Sequence, residues 1–225
     1  MAERHEGTRK GNIVTTTISI VYHSQTGHTG SLAEAVTEGA KRVDNVQVNA
    51  FQLSADQLAE DGRWSDESVM AALDASDAIL FGSPTYMGSV SSVCKAFMEA
   101  TLHLWASQGW KDKFAGGFTN SAGLSGDKLN SLVDLVVFAS QLGMIWVSIG
   151  DLPATPGGSD GSLTLNRLGA YLGVISQSDL GADPSEAPPE MDLETGRRYG
   201  ERVARITQHF QGEGAYETTR IPFGG

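Results

Sequence analysis

Strand-like and helix-like segments alternate along this chain from residue 16 onward, and that alternation limits the folds it can adopt. Short β-rich or continuously apolar runs predict strands, and apolar residues at helical spacing predict the helices between them. The run Ala78-Ile79-Leu80-Phe81, stopped by Gly82-Ser83-Pro84, is typical of a buried parallel strand. The predicted strands cover about 16–22, 46–52, 78–81, 114–118 and 144–149, and the main predicted helices cover about 30–40, 69–75, 91–105, 127–142 and 193–211.

Helices of this length between successive strands predict an α/β fold, in which a parallel sheet is built with right-handed crossovers. About five strands favour a doubly wound sheet of order 2-1-3-4-5 with helices on both faces. The longer dinucleotide-binding arrangement is disfavoured, since no GxGxxG opens the first helix. We expect one domain over 16–211 with an insertion at about 150–189, flanked by flexible tails at 1–15 and 212–225.

Charge and cysteine content exclude several classes of function. The formal net charge is −11, and an acidic surface of this kind repels nucleic acid and anionic membranes. Cys94 is the sole cysteine, so one chain can build no disulfide framework or iron–sulfur ligand set, and a reducing, cytoplasmic setting is expected. No apolar run reaches membrane-spanning length, no hydrophobic signal-peptide core follows the N-terminus, and no His/Asp/Glu set has metal-ligand spacing.

The loop after the first predicted strand carries the most specific motif. Its sequence is Ser24-Gln25-Thr26-Gly27-His28-Thr29, directly before a helix. Free N–H groups at a helix N-terminus, together with small hydroxyl side chains, bind a phosphate dianion without any Lys or Arg. An ordinary helix N-cap is the alternative, although one Ser or Thr would suffice for it.

Two further loops follow the third and fourth predicted strands. Gly82 to Gly88 offers backbone amides and the side chains of Tyr86 and Met87 to a planar ligand, or it is a plain proline turn with a surface tyrosine. Thr119 to Asp127 is rich in small residues that let a ligand approach the backbone, or it is a flexible loop ending in an N-cap. Ligands of doubly wound sheets bind at the carboxyl ends of the strands, where all three loops are expected.

Four other residues were weighed as functional candidates. For His28 we expect the backbone N–H to matter more than the ring, and His23 is interpreted as a strand-end polar residue rather than a neighbour of the ligand. His103 is interpreted as a helix-surface histidine, although it could approach a second-substrate pocket. Cys94 is interpreted as a small core residue rather than a nucleophile.

With these motifs in place, the chain resembles the WrbA-type NAD(P)H:quinone oxidoreductases, which are FMN enzymes with a flavodoxin-like fold. The resemblance runs from about residue 18 to 210. Besides the three loops it includes Leu104-Trp105-Ala106-Ser107, the segment from Gly143-Met144 to Ile149-Gly150, and the glycine-rich stretch from Gly157 to Ser162.

The resemblance implies roles for individual residues of this chain. The phosphate of FMN would be held by the first loop, the flavin ring would be lined by the second, and the site would be completed by the third. Trp105 would lie near the flavin, contributed across a subunit interface in a dimer or tetramer, or else it closes the core at a helix end. The implied FMN-binding residues are Ser24, Thr26, Gly27, His28, Thr29, Pro84, Thr85, Tyr86, Met87, Gly88, Trp105, Thr119, Asn120, Ser121, Gly123 and Gly126.

Two positions depart from the family pattern. Tyr86 stands where members commonly carry an arginine, and Leu142 aligns with a histidine that lies over the flavin. Tyrosine offers no fixed positive charge, and leucine offers no proton donor. The sequence therefore leaves open the electron acceptor and the choice between NADH and NADPH.

The resemblance implies an enzyme that transfers two electrons from NAD(P)H through FMN to a quinone-like acceptor. A flavodoxin-type carrier of single electrons is the alternative, because the acidic charge suits docking to basic partners. A regulatory protein that uses FMN structurally is a third hypothesis, since fold alone does not determine function. No catalytic side chain is predicted, because the flavin itself performs the redox chemistry.

Overall fold

The structure, a computed structural model, describes residues 15–212 and 218–224. Its helices and strands alternate as the sequence predicts over most of this length. In chain order they are β1 (Thr16–His23), α1 (His28–Lys41), β2 (Val46–Leu53), α2 (Glu67–Asp74), β3 (Ala78–Tyr86), β4 (Ser89–Val90), α3 (Ser92–Ala100), α4 (Leu102–Ser107), β5 (Phe114–Ser121), α5 (Lys128–Gln141), β6 (Ile145–Trp146), β7 (Thr155–Gly157), β8 (Leu163–Leu165), β9 (Val174–Gln177) and α6 (Glu190–Gly212).

The main sheet is parallel in the order β2-β1-β3-β5-β6, with β9 also paired to β5 and the short β4 paired antiparallel to β3. Ile20 of β1 lies between Ala50 of β2 and Leu80 of β3 in the register. Because β4 is only the return arm of a hairpin, this order corresponds to the predicted 2-1-3-4-5. The predicted doubly wound fold class is confirmed.

The last position of the sheet differs from the prediction of a single strand over 144–149. β6 pairs with the beginning of β5, at Phe114 and Ala115, whereas β9 pairs with its end, at Phe118 to Ser121. The chain leaves the sheet after β6 and turns at Gly150, whose φ of 81° suits glycine best. The intervening segment forms the β7–β8 hairpin and returns as β9, so the predicted insertion supplies part of the sheet itself.

The helix predicted over 91–105 is broken at Thr101 into α3 and α4. The Thr101 hydroxyl donates to the carbonyl of Met98 at 2.7 Å, and the backbone at Thr101 has ψ 7°. The Thr101 amide bonds the carbonyl of Met98, three residues back, at 3.3 Å, so the helical ladder of bonds four residues apart is interrupted at this residue. The amphipathic spacing continues across Thr101, so periodicity alone did not reveal it.

Buried apolar residues lie on both faces of the sheet, as the doubly wound fold requires. On the face of α2, α3 and α5, the rings of Phe81, Phe97 and Phe138 contact one another with centroids 5.2 to 6.4 Å apart. On the face of α1 and α6, the Tyr199 hydroxyl donates to the carbonyl of Val147 at 2.6 Å and accepts from the Gly117 amide at 3.1 Å. Both faces are therefore held by close packing, and the second also by a buried polar link from α6 to the sheet.

The described part of the predicted C-terminal tail contacts α4 and the turn that follows it. The amide of Phe223 donates to the carbonyl of Ala106 at 2.8 Å, and its ring lies 5.2 Å from that of Trp105. The prediction of a flexible tail over 212–225 does not anticipate these contacts. The other predicted tail, 1–15, lies outside the described residues except for Thr15.

No helix of the described segments is long and apolar enough to cross a lipid bilayer.

Helices α1 and α6 pack so closely that backbone touches backbone. A Cβ added at Gly200 would lie 2.0 Å from the carbonyl oxygen of Val36, and one added at Gly39 would lie 1.8 Å from that of Arg197. Side chains cannot be accommodated at these distances. Glycine is therefore required on both helices for this contact.

We predict that Gly200→Ala lowers the free energy of unfolding by about 2 kcal/mol or more, because the clash outweighs the ~1 kcal/mol that alanine gains in helix propensity. Urea denaturation measures the change. The control is Arg205→Ala on the same helix, which removes only an exposed ion pair with Glu201 and costs less than about 0.5 kcal/mol. A Gly200→Ala protein as stable as the wild type would contradict the close contact.

Candidate functional site

The three loops singled out from the sequence meet at one edge of the sheet. They follow the carboxyl ends of β1, β3 and β5, which are adjacent in the sheet order. Tyr22 pairs with Gly82, and Pro84 with Asn120, so the register brings the loops level with one another. The chain continues from β1 to β2 on one side and reaches β3 on the other, which makes this the topological switch point where ligands of doubly wound sheets bind.

The first loop turns into α1 at Gly27, whose φ is 91°. The Ser24 hydroxyl accepts from the amide of Gly30 at 3.0 Å, and the side chain of Gln52 donates to the Ser24 carbonyl at 2.9 Å. The N-cap position is Gly27, which has no side chain, and the Ser24 hydroxyl instead satisfies the Gly30 amide in the first turn of α1.

The backbone amides at the start of α1 are free to bind an anion. Among the described residues, the amides of Thr26, Gly27, His28 and Thr29 have no hydrogen-bond partner. The helix dipole adds a partial positive charge at the same place. These unpaired donors and the neighbouring hydroxyls fit a phosphate group.

A segment of the insertion forms a wall beside this loop. The His28 ring bonds the carbonyl of Ala182 at 2.9 Å through Nε2 and lies 3.2 Å from the Thr26 hydroxyl through Nδ1. Pro184 lies so near Gly27 that a Cβ there would be 2.5 Å from the proline ring. The His28 side chain therefore links the first loop to the insertion, a role that the sequence did not indicate.

The second loop is a tight hairpin that presents Tyr86 and Met87 outward. Met87 and Gly88 both have positive φ, 48° and 82°, as a type I′ turn requires. The Met87 side chain is fully exposed and Tyr86 is partly exposed, whereas Pro84 and Thr85 are buried. The Thr85 hydroxyl lies 2.8 Å from the hydroxyls of Thr119 and Ser131, which ties this loop to the third.

The third loop is held from below by polar bonds. The Asn120 amide donates to the hydroxyls of Ser176 and Ser178 at 2.8 and 3.0 Å. Gly126 has φ 53°, and a Cβ there would lie 2.0 Å from the Ser121 hydroxyl oxygen. Thr119 and Asn120 are buried, and Gly123 is exposed at the tip. The loop is thus a compact turn with an accessible backbone.

Lys128, which the sequence analysis did not single out, lies fully buried beneath the third loop. Its ammonium donates to the Ser121 hydroxyl at 3.0 Å and to the Gly123 carbonyl at 2.5 Å. Burial lowers the pKa of Lys128 to about 8. A lysine at the first position of a helix interacts unfavourably with the helix dipole. This unusual placement is the sequence feature that could have pointed to Lys128.

Two titratable side chains lie just inside the site. His23 is buried, its Nδ1 lies 2.8 Å from the Ser91 hydroxyl, and desolvation lowers its pKa, so the ring is neutral at pH 7. Burial raises the pKa of the Cys94 thiol to about 12, which leaves no thiolate for chemistry. Both observations support the structural interpretations given to these residues.

Trp105 and Leu142 are not brought together with the three loops in this chain. They line an open groove of about 1200 Å³ between α3, α4 and α5. Leu142 ends α5 just before β6, at the amino end of the sheet and thus opposite the loops. Trp105 is 41% exposed and its ring packs at a tilt of 40° against that of Phe223, so it does not close the core.

The fit of FMN can be judged from these features together. Unpaired amides and hydroxyls stand where a phosphate would lie, and the second and third loops present exposed backbone and an aromatic side chain beside it. Within the described segments, no group of three or more His, Cys, Asp or Glu side chains is arranged to hold a metal ion. The residues present fit the flavin nucleotide.

Comparisons with known proteins agree with this assignment. A family model described as NADPH-dependent FMN reductase matches residues 18–154. The chain is 43% identical over 189 residues to flavodoxin FldP of Pseudomonas aeruginosa, covering 84% of this chain and 95% of that protein. It is 26% identical over 204 residues to an NAD(P)H dehydrogenase (quinone) of Chromohalobacter salexigens, covering 87% and 98%.

Among solved structures, the fold is similar to a flavodoxin, WrbA-like protein from Agrobacterium tumefaciens. The identity is 40%, the TM-score is 0.63, and the match covers 86% of this chain and 98% of that one. The resemblance inferred from the three loops is confirmed. The chain belongs to the NADPH-dependent FMN reductase family, within the FMN-binding oxidoreductases of flavodoxin-like fold.

Proposed function

We propose that this protein is an FMN-dependent oxidoreductase that takes two electrons from NAD(P)H and passes them to a quinone-like acceptor. The observation that carries the proposal is the make-up of the site. Tyr86 is the one aromatic side chain that the three loops contribute, since residues 119–126 are small or aliphatic. A flavin held by these loops would meet one aromatic side chain, which would leave its other ring face to a planar second substrate.

The geometry of each loop supports the binding roles that we propose. Ser24, Thr26, Gly27, His28 and Thr29 hold the phosphate through amides and hydroxyls. Pro84 to Gly88 line the ring, with Tyr86 or Met87 packed on its face. Thr119, Asn120, Ser121, Gly123 and Gly126 shape the third side of the site, and the Thr85–Thr119 contact keeps these two loops in a common position.

Bound FMN supplies the redox chemistry, accepting hydride from the nicotinamide and returning two electrons to the acceptor. The chain orients both substrates in turn over one ring face, which predicts ping-pong kinetics. No side-chain acid or base is assigned, because hydride moves directly and quinone oxygens take protons from water. The neutral His23 is consistent with the absence of a side-chain acid or base, because its Nδ1 is already hydrogen-bonded to the Ser91 hydroxyl.

An electron carrier is the second candidate, and one specific observation favours it. The relative with 43% identity is named a flavodoxin, whereas the quinone dehydrogenases are 25% and 26% identical. The net charge of −11 suits docking to basic redox partners. A carrier would exchange single electrons with proteins rather than accept hydride from NAD(P)H.

The phosphate assignment predicts that Thr26→Asp weakens FMN binding at least tenfold, because the new carboxylate repels the phosphate dianion. In Thr26→Asn the new side chain has nearly the same shape as aspartate but no charge. This variant is expected to bind FMN within about threefold of the wild type. Quenching of flavin fluorescence measures both. Riboflavin, which lacks the phosphate, serves as the control ligand, and an equal loss of riboflavin affinity would contradict the assignment.

The reductase assignment predicts rapid anaerobic bleaching of the FMN-loaded protein by NADPH or NADH, reversed by benzoquinone. The visible flavin absorbance is recorded with each nucleotide separately, so the preferred donor is identified in the same experiment. A protein that neither nucleotide bleaches, but that dithionite reduces in two separate one-electron steps, would instead be the carrier.

We further propose that the chain is a cytoplasmic homo-oligomer, a dimer or tetramer. Leu129, Val133 and Val137 are exposed at four-residue spacing along α5, and Val137 lines the groove together with the exposed Leu102 and Trp105. An apolar surface of this kind on a monomer is typical of an interface. A partner seated there could bring its own Trp105 toward a neighbouring flavin site.

The lone, buried Cys94 supports the proposal of a reducing, cytoplasmic compartment.

This assembly predicts that Val137→Glu yields a smaller species, because a carboxylate within an apolar interface is costly to desolvate. Size-exclusion chromatography with light scattering measures the mass. Lys41→Glu, an exposed change on α1 at the other face of the sheet, is the control and leaves the mass unchanged. A monomeric wild-type protein would rule the assembly out.

A further inference from the structure

The buried ammonium of Lys128 has no carboxylate partner at ion-pair distance among the described residues. Its contacts are the Ser121 hydroxyl at 3.0 Å and the Gly123 carbonyl at 2.5 Å, both in the third loop. A charged side chain buried in this way is costly unless a compensating group is nearby. The cost is increased because Lys128 is the first residue of α5, where the helix dipole is positive.

The charged neighbours of Lys128 compensate one another rather than the lysine. Asp192 of α6 is held by the guanidinium of Arg167 at 2.7 and 2.8 Å and by the Gln177 amide at 3.0 Å. Asp192 favours the charged form of Lys128, whereas Arg167 and burial oppose it, and burial dominates. A net positive charge is therefore left directly beneath the third loop.

We propose that Lys128 is a positioning residue of the flavin site, which holds the third loop and places a positive charge behind it, so that the flavin bound there is easier to reduce. The proposal rests on the FMN binding proposed above but not on the identity of the electron donor or acceptor. It names a residue that the loop motifs by themselves do not include.

The physical reason is the charge that reduction creates. Two-electron reduction with uptake of one proton leaves the flavin with one additional negative charge. A cation held behind the third loop would stabilise that charge, and the reduced flavin would in turn raise the pKa of the lysine by the same free energy. For a mutual shift of about one pKa unit, the reduction equilibrium changes by roughly tenfold.

The test compares the midpoint potentials of FMN bound to the wild type and to Lys128→Gln, by anaerobic dithionite titration with a reference dye. Glutamine can still donate to the Ser121 hydroxyl or the Gly123 carbonyl but carries no charge. We expect reduction to be about tenfold less favourable in the variant at pH 7, which is ~30 mV for a two-electron couple. The difference narrows at pH 9.5, because the wild-type ammonium, with its pKa of about 8, has then lost its proton.

Lys41→Gln is the matched control, since it removes an exposed lysine from the last turn of α1, at the opposite end of the sheet. It is expected to leave the potential unchanged. Equal potentials for Lys128→Gln and the wild type, with FMN retained by both, would overturn the proposal and leave Lys128 a purely structural residue.

If Lys128→Gln does not fold or bind FMN, the pH dependence of the midpoint potential of the wild type tests the proposal by itself. Between about pH 8 and 9 its flavin should take up an additional fraction of a proton on reduction, seen as a steeper fall of the potential with pH. The absence of this steeper region would overturn the proposal. A wild type that retains no FMN would overturn it together with the FMN site, whereas failure of NAD(P)H to reduce the flavin affects only the reductase assignment.

Discussion

Parallel pairing of β1 with β3 is the interaction on which the rest of the structure depends. With β2 on the other side of β1, this pairing creates a switch point at which two loops leave the sheet in diverging directions. The first loop then turns into α1 with unpaired amides, and the second forms a hairpin beside it. β5 adds the third loop next to β3, so every proposed contact with the flavin depends on one register.

The site also depends on polar bonds that hold its loops in place. Asn120 is bonded to Ser176 and Ser178, Thr85 to Thr119, and Lys128 to the backbone of the third loop. β9 and the wall around Pro184 come from the segment that interrupts the last strand position. The insertion is thus a support of the site, and a buried lysine within that support can affect the electron affinity of the flavin as well as its position.

Two features leave the choice between reductase and carrier to experiment. The resemblance to the WrbA-type enzymes implies that Tyr86 and Leu142 stand where an arginine and a histidine are common, and the structure puts Leu142 at the end of the sheet remote from the loops. A role for Leu142 or Trp105 at a flavin therefore requires a second subunit. The single aromatic side chain among the three loops, Tyr86, favours a small planar substrate, whereas the relative named flavodoxin favours a protein partner.

The sequence by itself determined the doubly wound sheet and the position of the three loops, because strand and helix periodicities and the turn residues after β1, β3 and β5 are local signals. It missed the break at Thr101, because the apolar spacing continues across that residue, and the sharing of one sheet position by β6 and β9, which depends on pairing across the insertion. The burial of Lys128 and the separation of Trp105 from the loops were decided only by tertiary structure. Solvation and distance depend on which elements pack together, and no local pattern encodes that.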